Sequence, residues 1–413
     1  MSQIRDGFID RFDSPESKFP RSLALVGMRN IRDYLTSDHP EAKDEHLASP
    51  FNIVAERFTL ANFTETETGG LYRQHTEATG QVFTDTAVER AWHWAEGQPW
   101  LVNALAHEIL TRQPAGNFSK TITETDFDRA ARTLIKRHDT HLDSLENRLG
   151  EARIRRVMEA VVIGADSFPR EISRDDRRYV LELGLLKESP AESQTYQPAN
   201  PIYQEVILRA LTAKLQENIP GEYILRARQW VDGTKVNMKG LVESFRQYWM
   251  ENCEIVTDNY DIDSSLYESI DEELKKAKVI GRTDDLARQI TNRITNNLRN
   301  LVDEALAHLV FYAFLQRVIN GGADFLQREY PLGRSRSDIC VSYRGKRYPV
   351  ELKIKGNLSL EKSMKQLSGY MDKCGADEGW LIVFDRNFKK PWKEKISWET
   401  KKYKALTIHA AGC

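Results

Sequence analysis

Two short apolar runs on either side of a basic turn constrain this chain more than any other stretch. Ser337-Asp338-Ile339-Cys340-Val341 leads through Arg344-Gly345-Lys346-Arg347 into Pro349-Val350-Glu351-Leu352-Lys353. Apolar runs of this length around a Gly-containing turn predict a pair of strands. Side chains alternate faces along a strand, so Glu351 and Lys353, two residues apart, share one face. The pairing predicts that Asp338 and Glu351 meet at neighbouring strand ends with the Lys353 ammonium beside them. Two carboxylates so placed suit a divalent cation. With the lysine they form a set able to polarise a phosphodiester and position a water for attack.

The rest of the C-terminal part predicts an α-β-β-β-α-β order. An apolar helix runs from Leu298 to Ile319 and stops at Asn320-Gly321-Gly322. Strands follow at Phe325–Leu332, Asp338–Tyr343 and Arg347–Ile354, then a helix from Leu360 to Cys374 and a strand at Trp380–Phe384, with a last strand at Ala405–His409. Residues 328–404 hold 19 Lys/Arg against 10 Asp/Glu, a net of +9 in a chain whose formal net charge is −2, which leaves −11 for the remainder. A basic module on an acidic body fits a phosphate-backbone ligand, and a solvated basic surface has the same composition.

Upstream, Ser22-Leu-Ala-Leu-Val-Gly27 reads as a buried strand. Thr64 followed by Glu67 predicts a capped helix start, and Pro99 occupies the first turn of another helix. Ile154, Val157, Met158, Val161 and Val162 mark one helix, and Arg174–Leu183, closed by Gly184, a second. A strand begins at Leu185-Leu186 and the chain returns through Tyr196 to Pro201. Helix, helix and two-stranded flap form a winged-helix pattern. Its second helix has mixed charge (Asp175, Asp176, Arg177, Arg178, Glu182), so the same shape serves as a spacer or as a DNA contact. Residues 216–297 are polar and predict a helical linker or insert.

These elements predict a multidomain α/β chain with parts at 1–145, 146–215, 216–297 and 298–413. No stretch of the 413 residues has the length and apolarity of a membrane span, and the first residues are polar rather than a signal peptide. Cys253, Cys340, Cys374 and Cys413 have no paired spacing, which argues against structural zinc or a disulfide framework and fits a reducing cytoplasm.

Two further motifs flank the hairpin: Gln366-Leu367-Ser368-Gly369-Tyr370 on the following helix and Glu304-Ala305-Leu306-Ala307-His308 on the preceding one. With Asp338 and Glu351-Leu352-Lys353 they make the C-terminal part resemble the PD-(D/E)xK nuclease superfamily, in its RecB-like branch. The resemblance implies a restriction-endonuclease-like α-β-β-β-α-β domain with a mixed sheet, and Mg2+- (or Mn2+-) dependent hydrolysis of DNA. It assigns Asp338, Glu351, the Leu352 carbonyl, Glu304 and His308 to the metal, and Lys353 to the attacking water and the transition-state charge. Gln366 and Tyr370 fall to the scissile region, and Arg334, Arg336 and Lys355 to phosphates.

Ser22–Tyr34, Ser49–Ile53, Leu71–Thr76 and Gly97-Gln98-Pro99-Trp100 resemble the distal, mostly helical part of an AAA-like, STAND-type NTPase module, with Gly97-Gln98-Pro99 in the place of the lid-helix signature. No G-x-x-x-x-G-K-[S/T] occurs, and Gly116-Asn-Phe-Ser-Lys120-Thr121 lacks the glycine before its lysine. ATPase activity is therefore not expected from this chain alone, and a partner chain would supply the nucleotide-binding core. DNA and a second copy of the chain are the other expected partners, and a membrane is not. The rival expectation, of another class, is a nucleotide-regulated DNA-binding or scaffold protein with an inactive nuclease fold.

Overall fold

The computed structural model of the chain describes residue 10 and residues 60–112, 118–137, 140–163, 172–188, 196–225, 230–232, 235–259, 306–317, 327–329, 339–343, 345–355, 360–385, 390–403 and 406–413. Within them a mostly helical N-terminal part precedes a C-terminal part built on a mixed sheet. The strand expected at Ser22–Gly27 lies outside the described residues.

Local chemistry sets the first helices. In α1 (Glu65–Thr79) the Thr64 hydroxyl accepts from the Glu67 N–H, and the Glu67 carboxylate accepts from the Thr64 N–H at 2.8 Å. This reciprocal cap satisfies two amides that would otherwise lack partners. After α2 (Asp85–Ala95) the chain turns through Glu96 and Gly97, both at positive φ, into α3 (Pro99–Thr111), whose first turn holds Pro99. Gly97 is obligatory on two counts: its φ is +72°, and a Cβ there would sit 1.8 Å from the Phe63 carbonyl oxygen. Helices α4 (Glu124–Arg137), α5 (Thr140–Arg148), α6 (Ala152–Ile163) and α7 (Arg174–Glu182) follow.

Gly184, at φ +70°, turns the chain out of α7 into the antiparallel pair β1 (Leu186–Glu188) and β2 (Tyr196–Pro198). The helix, helix and two-stranded elements occur in the order read from the sequence. Next, α8 (Pro201–Glu217) is capped by the Asn200 side chain, which accepts from the Tyr203 N–H, and it packs on α2, α4, α5 and α6.

Residues 216–297, expected as a polar helical linker or insert, are largely helical in their described part, and one of their helices packs into the core. After α9 (Gly221–Leu225), β3 (Val231–Asp232) and β4 (Lys235–Val236) comes α10 (Met238–Asn259), a 22-residue helix that buries Met238, Leu241, Val242, Phe245, Tyr248, Trp249 and Cys253. Those positions recur three and four apart. The charged residues between them occupy the other face, which makes the stretch polar on average while one stripe is core. Phe245 packs edge-on against Phe311 and Phe314 of α11 (306–317) and against Phe384. Every residue of α11 from Leu306 to Gln316 is buried.

The sheet has six strands: β5 (Gln327–Glu329), β6 (Ile339–Tyr343), β7 (Lys346–Ile354), β8 (Glu378–Phe384), β9 (Trp398–Tyr403) and β10 (Leu406–Gly412), in spatial order β5-β6-β7-β8-β10-β9. The β5-β6, β6-β7 and β9-β10 pairs are antiparallel, and β7-β8 and β8-β10 are parallel. Helix α12 (Leu360–Cys374) makes the crossover from β7 to β8, and α13 (Trp392–Lys395) is a single turn before β9. The α-β-β-β-α-β order is present. Strand β9 is an addition that the sequence hides, because it is an edge strand whose four central residues, Glu399 to Lys402, are charged or polar and exposed.

Strand alternation divides the sheet into two faces. Ile339, Val341, Tyr343, Tyr348, Val350, Leu352, Ile354, Trp380, Ile382 and Phe384 join an apolar cluster shared with α10, α11 and the upstream helices. Leu381 and Ile408 face the other way and pack with Met364, Leu367 and Met371 of α12. No described helix is long and apolar enough to cross a membrane.

Candidate functional site

Glu351 and Lys353 lie on the α12 face. In β7 their neighbours Val350, Leu352 and Ile354 go to the opposite, apolar cluster, so the period of two sends the glutamate and the lysine to the side covered by α12. The register agrees: Glu351 is opposite Leu381, which packs under α12. The Lys353 Nζ is 2.8 Å from the Glu351 Oε1, and Glu351 is fully buried. A carboxylate removed from water is costly unless a counter-charge accompanies it, and Lys353 supplies one. On β6, Ile339, which follows Asp338 in the chain, pairs with Val350, which precedes Glu351.

The remaining expected site residues divide three ways. Tyr370 is on α12 and buried. Gln366 points out from the same helix and is exposed, as are Lys362 and Lys365. Asp338, Glu304, Arg334 and Arg336 lie outside the described residues. Lys355, one residue beyond β7, is tied down: its Nζ is 3.1 Å from a carboxylate oxygen of Asp385, and its N–H donates to the Phe384 carbonyl. The Asp385 carboxylate holds the Lys355 ammonium above its ordinary range. Lys390 approaches the same oxygen at 3.6 Å.

His308 is buried in α11, which packs with α10 in the apolar cluster that also takes in Val350 and Leu352. Among the described residues, no group of three or more His, Cys, Asp or Glu side chains is placed to hold a metal ion.

Three neighbours of the site were not read from the sequence. Asp385 follows β8 as Lys355 follows β7, and the parallel pairing of those strands is what brings them together. Hydrogen bonding by the Cys340 thiol, first, lowers the pKa of Cys374, the last residue of α12, to about 7. Comparison with models of protein families, with curated proteins and with solved structures gives no match for this chain.

Proposed function

We propose that the chain is a metal-dependent nuclease that hydrolyses DNA phosphodiester bonds at the Glu351–Lys353 face of its C-terminal sheet. One observation carries the reading: a fully buried carboxylate in the middle of a sheet, with an ammonium at 2.8 Å, next to the strand that Asp338 precedes. Glu351 and Asp338, with Glu304, would hold Mg2+ or Mn2+, because carboxylates are the hard oxygen donors those ions take. When bound, the ion would act as a Lewis acid on a phosphoryl oxygen.

The protein's own groups have separate tasks. Lys353 would orient the attacking water and offset negative charge as the phosphorus gains its fifth oxygen. Gln366 and Tyr370, on α12, would contact the scissile region or the DNA backbone. The net +9 of residues 328–404 would draw the phosphate backbone to this end of the chain. The expected division of labour places an NTPase-like helical part and a winged helix upstream of the nuclease.

Supercoiled plasmid incubated with the full chain and Mn2+ tests the proposal. Nicking that is lost with a chelator, and reduced at least about 10²-fold in Asp338→Ala and Lys353→Ala, supports it. Equal nicking by all three proteins rejects it, because the activity then belongs to a contaminant.

A further inference from the structure

The outer edge of the six-stranded sheet is β9, and among the described residues no strand pairs with its far side. One contact fixes the direction of its backbone groups. The Gly412 N–H donates to the Ser397 carbonyl at 3.0 Å. Ser397 and Gly412 continue the β9-β10 register, in which Trp398 is opposite Ala411 and Tyr403 opposite Leu406. Hydrogen-bonded and non-hydrogen-bonded positions alternate along an antiparallel pair. Ser397, Glu399, Lys401 and Tyr403 therefore turn their N–H and C=O groups toward β10, and Trp398, Thr400 and Lys402 turn theirs away. Each of those three offers one donor and one acceptor to a further strand. Glu399 to Lys402 are all exposed, so both faces of the strand are open there.

We propose that a second copy of this chain occupies the edge, with the two β9 strands pairing antiparallel across a two-fold axis at Thr400. Identical strands related in this way must centre on one residue, which lies opposite itself. A centre at Thr400 uses every outward-facing residue: Thr400 meets Thr400, and Trp398 meets Lys402 of the second copy, on both sides of the axis. In that register Glu399 stands opposite Lys401 of the second copy, and Lys401 opposite its Glu399. A centre one residue earlier puts Glu399 opposite itself, and a centre one residue later puts Lys401 opposite itself. Opposite charges directly across a pair of strands attract and like charges repel. The charges of β9 therefore favour one register and oppose the two beside it.

Lysines on an edge strand ordinarily keep other strands away. Here the alternation of Glu399 and Lys401 lifts that protection for one partner, the same strand running the other way. Within one chain the Lys401 Nζ is 2.7 Å from the Glu399 Oε2, and both side chains are about half exposed, at 45% and 54%. Across the axis the acids and bases of two copies would alternate around a square, each carboxylate between two ammonium groups. On the other face the Thr400 hydroxyl is 3.0 Å from the His409 Nδ1 of β10. The residue on the axis thus turns its small side chain back onto its own sheet and leaves the approach clear. The contact is short, so the association is concentration-dependent rather than obligate.

The proposal stands whether or not the chain cuts DNA, because its test reads molecular mass. The full chain is followed by sedimentation velocity at low ionic strength, where surface charges are least screened. The expected result is a monomer–dimer equilibrium with dimer evident at about 100 μM. Glu399→Lys and Lys401→Glu should each weaken self-association at least about tenfold, because like charges then face each other. Mixing the two variants should restore a dimer, and so should E399K with K401E in one chain, because acids again face bases. Thr400→Pro removes an outward N–H without taking one from the β9-β10 ladder, and should leave a monomer. Overturning results are a wild type that stays monomeric at that concentration, a Glu399→Lys or Thr400→Pro protein that dimerises as strongly as the wild type, or a mixture of the two charge variants no more dimeric than either alone.

Discussion

Replacing Lys353 with methionine separates the structural role of its ammonium from any role in cutting DNA. The substitution keeps most of the length of the side chain and removes its charge. Glu351 is fully buried and Lys353 has 16% of its side chain exposed, with the two 2.8 Å apart. Removing one partner of a buried ion pair costs about 3–5 kcal/mol, because the other charge is left without compensation. The partial exposure of Lys353 puts the expected loss at the low end, about 3 kcal/mol. Replacing both residues, Glu351→Met with Lys353→Met, removes the stranded charge and should recover at least about half of that loss. Urea unfolding of the wild type, both single variants and the double variant gives the coupling energy directly. Mn2+ adds a second reading. If Glu351 is a metal ligand, the cation replaces the missing ammonium, so Lys353→Met should gain more in melting temperature from Mn2+ than the wild type does. Asp338→Asn in the same background should abolish that gain. A Lys353→Met protein as stable as the wild type would refute the pairing argument. An unchanged melting temperature with Mn2+ would refute the metal assignment.

Three other substitutions test the fold around the site. Gly97→Ala should destabilise by roughly 3 kcal/mol or more, from left-handed strain plus a collision with the Phe63 carbonyl. Gly184→Ala, at φ +70° with nothing within 4 Å, should lose only about 1 kcal/mol, and equal urea midpoints for the two would reject the steric account. Phe314→Ala removes a ring packed against Tyr223, Trp230, Phe245 and Tyr248. It should lose about 3–5 kcal/mol in denaturant titrations followed by tryptophan fluorescence. Burial holds the His141 imidazole below its ordinary pKa. The unfolded chain therefore takes up a proton at about pH 6.5 that the folded chain refuses, and stability falls as the pH drops from there toward the lowered folded value. The slope is at most about 1.4 kcal/mol per pH unit. His141→Gln should flatten this part of the stability profile between pH 7 and 5, and an unchanged slope would count against it.

What the sequence disclosed was local. Thr64 with Glu67, Pro99, and Gly184 each act within one turn of chain, and each appears where the residues predict it. The β6-β7 hairpin was legible because period two and a turn glycine, Gly345 at φ +79°, act within a few residues. The Glu351–Lys353 pair follows from the same period. Partnerships made by packing were not legible. Lys355 meets Asp385 only because β7 and β8 are parallel neighbours. Averaging over residues 216–297 hid α10, because its apolar positions, spaced three and four apart, are set within a longer polar stretch.

The strongest physical pointer to a site is a comparison among buried acids. Glu108 is close to the Arg112 guanidinium and 3.0 Å from that of Arg137, both more than half exposed, so its charge is balanced at the rim of the helical part. Asp126 lies in the first turn of α4, accepts from the Thr123 N–H and meets Lys120 at 2.6 Å, so a helix N-terminus and a surface lysine account for it. Both complete local structure. Glu351 does not end a helix and does not sit at a rim. It is in the middle of β7, a strand paired on both sides and covered on both faces, where a near-continuous apolar run is the stable choice. An apolar pair of similar size at 351 and 353 would fill the same space without the desolvation cost. A sequence that keeps a carboxylate and an ammonium there gives up stability at one place in an otherwise consistent strand, and such local violations mark positions held for chemistry rather than for folding.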